Sequence, residues 1–308
     1  MPQTPDLPLS TLVRMTRPGF LIITVVACLL GMATADACGH PPKLWTALAT
    51  LVLALLAHAV GNVLNDVHDA ISGADAANRS GISPFTGGTR LIQQGLVSVQ
   101  QTRDLARALL LVLVPAGVLL ALHSTGAVLW IGALGVFLAW TYSATPFKLM
   151  SRGLGELAVA AAWSLVVVGA DAVQRGGMFI IPVLTSLSYG LLIANILLIN
   201  GVPDAQADAS VGKATLAVRA GARGAALLYA WVALLAHGWL AWGVWQFLQP
   251  ERAIWGLLSA PLSAAAAVLL WQRVDTPQRL RPAIVLTILA ACVHGLGMAA
   301  GLVSMRWI

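Results

Sequence analysis

The chain has 308 residues, 58% of them apolar and only 10% charged, with a net charge of +6 and a mean hydropathy of +0.83. Soluble domains carry roughly 25% charged residues, so this chain lacks the groups to cover a solvated surface, and a soluble globular fold is excluded. The cationic excess is spread through short segments beside apolar runs, which argues against a nucleic-acid partner and for an all-α, polytopic protein of the lipid bilayer.

Apolar runs and their Gly, Pro and charged breaks predict nine transmembrane helices, at about 18–36, 44–66, 104–122, 126–143, 154–172, 178–200, 223–247, 253–272 and 282–304, in one transmembrane domain over 1–308. The first run, 20–32, follows Arg14 and Arg17 and ends in Ala33-Thr34-Ala35, the form of a signal peptide with a small-residue cleavage site. The many spans behind it favour an uncleaved first helix. Two connections are long, about 67–103 and 201–222, and both are polar, glycine-containing and aspartate-bearing. The cysteines (Cys28, Cys38, Cys292) form no C-x-x-C pair and read as unpaired small hydrophobes.

Nine spans place alternate connections on opposite sides. Fourteen of the eighteen Lys and Arg residues then fall on one side, leaving Lys43, Arg175, Arg252 and Arg306 on the other. Cytoplasmic connections carry the cationic excess, so the N-terminus and both long connections are expected in the cytoplasm, and the protein in a bacterial inner membrane. Trp45, Trp130, Trp239, Trp242, Trp245, Trp255 and Trp307 concentrate near span ends, as an interfacial aromatic belt does.

Five of the twelve acidic residues fall in two clusters. The first is Asn62-Val-Leu-Asn65-Asp66-Val-His68-Asp69, followed by Asp75, at the end of the second span. The second is Asn200-Gly-Val-Pro203-Asp204-Ala-Gln-Ala-Asp208, followed by Gly212-Lys213, at the end of the sixth. Asp66 and Asp69 are spaced i,i+3 and Asp204 and Asp208 i,i+4, so each pair shares one face of a helix. Carboxylates gathered in this way need a cation between them, and Mg²⁺ binds through one or two carboxylates, substrate phosphates and retained waters. Two facing pairs at the mouth of a helical bundle suit a metal-bridged diphosphate. The clusters are offset by 138 residues, or four spans, as a parallel duplication would leave them. A transporter would place its acids near the bilayer midplane, often within inverted repeats, and is the lesser alternative.

The first cluster resembles the N-D-x-x-D-x-x-x-G-x-D signature of the UbiA superfamily of intramembrane prenyltransferases, in the spacing of its menaquinone (1,4-dihydroxy-2-naphthoate) branch. The second, with Thr215-Leu-Ala-Val-Arg219-Ala-Gly221, resembles that family's second Asp motif. Gly87-Gly88-Thr89-Arg90 and the following residues to Ser98, and Tyr142-Ser-Ala-Thr-Pro146-Phe147-Lys148 with Arg152-Gly153-Leu-Gly155-Glu156, are similar to the same branch. Two positions depart: Pro203 stands where a basic residue is common, and Ala214 where a second basic residue often follows the lysine.

The resemblance implies nine helices around a central cavity. It also implies Mg²⁺-dependent transfer of a polyprenyl group from its diphosphate to an aromatic acid acceptor, by ionisation to an allylic cation and electrophilic substitution. Asp66, Asp69, Asp204 and Asp208 are the implied metal ligands, with Asp75 behind them. Lys213, Lys148, Arg90, Arg152 and Arg219 are candidate contacts to diphosphate or acceptor, and Asn62, Asn65 and Asn200 supply neutral polar groups. The Tyr142 ring face could steady the cation, the other reading being a membrane-interface tyrosine. The runner-up acceptor is 4-hydroxybenzoate or another quinone or quinolone precursor. That branch usually has its third Asp four residues after the second, which here is Gly73, whereas Asp75 comes six later. His68 reads as a spacer turned away from the acidic face; His58, His123, His237 and His294 read as core or interface residues, and Asn78 and Glu156 as caps or loop ties.

Overall fold

The computed structural model describes residues 7–305, so Arg306 and Trp307 lie outside the described residues. Its helices in chain order are α1 (Leu9–Met15), α2 (Ile22–Ala37), α3 (Leu44–Ser72), α4 (Ala74–Ala77), α5 (Val99–Leu122), α6 (Gly126–Ser143), α7 (Gly155–Arg175), α8 (Ile180–Ser210), α9 (Leu216–Trp245), α10 (Ala260–Arg273) and α11 (Arg281–Ser304). Short 3₁₀ segments, Pro18–Phe20 and Glu251–Ser259, extend α2 and α10, and among the described residues nine helical spans are long and apolar enough to cross a membrane. Inside a bilayer no water can satisfy peptide groups, so helices that bond internally are the available solution. The chain is an integral membrane protein.

The spans expected from the sequence are present, but two run on well beyond the predicted ends. Helices α3 and α8 have 29 and 31 residues, or roughly 45 Å each at 1.5 Å per residue, against a hydrocarbon core of about 30 Å. The excess falls on the polar segments expected to open the two long connections. A helix leaving the membrane keeps its internal hydrogen bonds, so polarity alone does not end it; Gly73, at φ 80°, ends α3. Helix α9 departs the other way, starting at Leu216 instead of 223 and breaking at Gly221 (φ 67°, ψ 168°), where only glycine adopts the backbone without strain.

Helix α8 packs against α7 and α9, and α2 lies against α7 and α11. Val26, Leu30, Val167, Tyr189, Ile193, Leu240 and Met298 form the main core, and Leu198, Ile199, Tyr229, Leu270 and Ile284 a second one nearer the acidic end. Buried hydroxyls in these cores are tied across helices, as Tyr189 to the Ile23 carbonyl at 2.6 Å and Tyr229 to Thr287 at 2.8 Å. The outward faces carry the exposed side chains of Leu111, Leu122, Leu157 and Leu258, and Trp130 and Trp245 stand out near helix ends. The cysteines are free, as expected.

Candidate active site

Five of the nine spans, α2, α3, α6, α7 and α8, wall a cavity of about 300 Å³. On α3 the lining residues His58, Asn62, Asn65 and Asp69 follow one stripe at helical spacing, and on α8 Ile193, Leu197, Asn200, Asp204 and Asp208 do the same. The chemistry therefore grades along the axis. Ile23, Ala54, Ala139, Val159, Ala162 and Val166 make an apolar floor within the membrane, and the carboxylates and amides crowd the mouth.

Contacts between the two helix projections bring the acidic clusters together. The Lys213 ammonium, eight-tenths or more withdrawn from solvent, forms ion pairs with Asp69 of α3 and, at 3.4 Å, with Asp208 of α8. Burial by itself lowers the pKa of this amine, but Asp69 and Asp208 outweigh it and raise it above the usual lysine value. Residues 73–98 form a strap over the mouth. From it, Asn78 Nδ2 donates to Asp204 Oδ1 at 2.6 Å and the Gly87 N–H donates to Asp204 Oδ2 at 3.1 Å. Thr89 Oγ1 donates to Asp66 Oδ2 at 2.6 Å, while the other Asp66 oxygen is ion-paired with Arg17. Asp75 lies under Gly88, where a Cβ would come within 2.7 Å of Asp75 Oδ2, so the backbone's close approach (φ 70°) requires glycine. Burial, with Asp69 and Asp66 adding repulsion, lifts the Asp75 carboxyl to about 7.

Asn62, Asn65, Asp69, Asp75, Tyr142, Asn200, Asp204, Asp208 and Lys213 thus all line one cavity. Asp66 is buried beside it, with both oxygens engaged by Arg17 and Thr89. The remaining basic candidates are not in the wall, and each has a physical reason. Arg90 donates to the Asn78 carbonyl at 2.7 Å and so braces the strap. Arg152 bonds the Pro146 carbonyl at 2.8 Å and Arg219 the Ala214 carbonyl at 2.9 Å, both at the exposed surface. Lys148 is exposed in a left-handed turn at φ 46°.

Several wall residues carried a different reading in the sequence. Arg17 passed as topology charge, yet it lines the cavity, pairs with Asp66 and lies 3.4 Å from Asn65 Oδ1. Its position next to Pro18, at the entrance to the first span, was the available signal. Asn78 is a loop tie as expected, and the residue it ties is Asp204. His58 is neither core nor interface: it faces the cavity, bonded to Thr24 at 2.8 Å and edge-on to Trp163.

The donor set fits a hard divalent cation. It consists of oxygen ligands on two facing helices, and the buried Asn200 Oδ1 has no hydrogen-bond partner. Among the described residues no three His, Cys, Asp or Glu side chains converge as a closed metal site. An ion held here takes part of its shell from phosphate and water, which is how Mg²⁺ is commonly bound.

A helical bundle with paired aspartates at the mouth of a membrane cavity defines a class, the intramembrane prenyltransferases. The family model described as the UbiA prenyltransferase family matches residues 15–299, and the chain belongs to that family. It is an aromatic prenyltransferase. The chain is 30% identical to the 1,4-dihydroxy-2-naphthoate octaprenyltransferase of Escherichia coli over 94% of both chains. It is 31% identical to the enzyme of the same name from Mycobacterium leprae, over 81% of this chain and 82% of that one. Among solved structures it is similar to a UbiA homolog from Archaeoglobus fulgidus bound to GPP and Mg²⁺ (TM-score 0.61, 16% identity, 94% and 99% of the two chains). It is also similar to the apo UbiA homolog from Aeropyrum pernix K1 (TM-score 0.62, 19% identity, 90% and 97%).

Proposed function

We propose that the protein transfers a polyprenyl group from its diphosphate to 1,4-dihydroxy-2-naphthoate, in menaquinone biosynthesis, with the active site on the cytoplasmic side of a bacterial inner membrane. The observation that carries this reading is the convergence of Asp66–Asp69 and Asp204–Asp208 on one cavity through Lys213 and the strap. The naphthoate acceptor follows the names of the bacterial relatives, and the orientation follows the Lys and Arg asymmetry.

Asp66, Asp69, Asp204 and Asp208, with Asp75 behind them, would hold Mg²⁺ together with the substrate diphosphate. When bound, the ion supplies Lewis-acid neutralisation of the charge that builds on the departing diphosphate. Lys213 and Arg17, both in the wall, donate to phosphate oxygens, and electrostatic stabilisation of this kind is strongest where water is excluded. The allylic cation left behind would be quenched by water, and the apolar floor of Ile23, Ala54 and Val166 keeps water away. Tyr142, near the end of α6 at the mouth of the cavity, presents an aromatic ring suited to an electron-poor carbon. The acceptor ring attacks the allylic carbon from within the cavity, and its carboxylate departs as CO₂ as the new C–C bond forms.

The test is a purified enzyme in detergent with Mg²⁺, a polyprenyl diphosphate and a panel of aromatic acids. Release of pyrophosphate with a prenylated naphthoquinol is the expected result. Prenylation of 4-hydroxybenzoate in preference to the naphthoate overturns the acceptor assignment and leaves the reaction class standing.

A further inference from the structure

A second concavity lies on the other side of α3 from the active site. It is a groove of about 340 Å³ between α3, α5 and α6, lined by Leu64, Val67 and His68, by Arg103, Ala106, Arg107 and Leu110, and by Trp140, Ala144 and Thr145. Helical spacing explains why it is separate: residues 64, 67 and 68 face away from the stripe of Asn62, Asn65 and Asp69. His68 is turned from the acidic face, as its spacing predicts, and it faces this groove.

The groove grades from cationic to apolar, in the same sense as the membrane. Arg103 and Arg107 stand one turn apart near the start of α5, and His68 lies near the end of α3, both at the end of the bundle that carries the active site. Arg107 is paired with Asp104 at 3.0 Å, whereas Arg103 forms neither hydrogen bond nor ion pair among the described residues. Further into the membrane the walls are Leu64, Leu110 and Trp140, the last 42% exposed on the outer surface. Basic recesses between transmembrane helices on one leaflet attract anionic headgroups, and arginine grips phosphate oxygens through its planar fork.

We propose that this groove binds one anionic glycerophospholipid, with the headgroup phosphate on Arg103 and Arg107 beside His68, and an acyl chain along Leu64, Leu110 and Trp140. The assignment is independent of which acceptor the active site uses. A lipid held against the outer face of α3 packs behind the helix that carries Asp66 and Asp69.

Native mass spectrometry of the full chain, purified in a neutral detergent, tests this with three probes: phosphatidylglycerol, phosphatidylcholine and inorganic phosphate. The expected result is one phosphatidylglycerol retained, about tenfold or more weaker retention by Arg103→Ala/Arg107→Ala, and recovery in Arg103→Lys/Arg107→Lys. Melting temperatures in the same detergent confirm that each variant is folded. Equal retention of phosphatidylglycerol and phosphatidylcholine, or equal retention by the wild type and the alanine variant, overturns the proposal. Competition by millimolar inorganic phosphate as effective as that by the lipid would make this a site for free phosphate and overturn the lipid assignment.

Discussion

The two acidic stations are neutralised by different means. On α3, Asp66 is paired with the Arg17 guanidinium and Asp69 with the Lys213 ammonium, so both carboxylates face a cation. On α8, Asp208 shares the Lys213 amine, and Asp204 is held by neutral donors, the Asn78 amide and the Gly87 N–H. The position before Asp204, where the motif resemblance led to the expectation of a basic residue, is Pro203. The difference teaches that a buried carboxylate beside a proline can be held by the backbone and amide groups of the strap, with no charge placed next to it.

This contrast can be broken most severely by removing charge from both stations. An Asp66→Asn/Asp204→Asn enzyme is expected to lose about a thousandfold or more in pyrophosphate release, since single electrostatic groups are worth about 10²–10³. Retained turnover would refute the assignment of these residues to metal and diphosphate. A smaller effect is expected from Lys213→Met, about a hundredfold in kcat/KM. Its KM for the polyprenyl diphosphate should rise if the amine that bridges the stations also contacts the phosphates, as proposed above. An unchanged KM would show that Lys213 only joins the helices. The smallest effect belongs to Asn78→Leu, which removes one neutral donor from Asp204 at a cost of about 1–2 kcal/mol, or about tenfold in activity. Asn78→Ser should recover part of it. If Asn78→Leu matched the double aspartate variant, the neutral hold on Asp204 would be more than a positioning contact.

Which parts of the site were legible in the sequence follows from the range of the interactions involved. The i,i+3 and i,i+4 spacings of the aspartates are local and set which side chains share a face. Apolar run length likewise gave the spans, and the family motifs placed Lys213 beside its acids. The Arg17–Asp66 pair spans 49 residues and the Asn78–Asp204 bond 126; no periodicity reports such pairings. The basic candidates that lie outside the cavity wall make the same point from the other side. Arg152 and Arg219 have motif neighbours in the sequence, but a carbonyl within six residues captures each guanidinium at the surface. The helix ends were misread for a different reason, because α3 and α8 continue as polar helix after the hydropathy signal stops.

The bonds from the strap to Asp204 also bear on how the enzyme is assembled. Asn78 and Gly87 leave the ribosome four membrane helices before Asp204 does. Throughout that interval of synthesis Asn78 and Gly87 have no Asp204 carboxylate to close on, and the strap is tied to Asp66 alone, through Thr89. Catalytic competence is therefore a late event in biogenesis: a chain released before its sixth span is inserted is a membrane-anchored fragment with an open, substrate-blind vestibule.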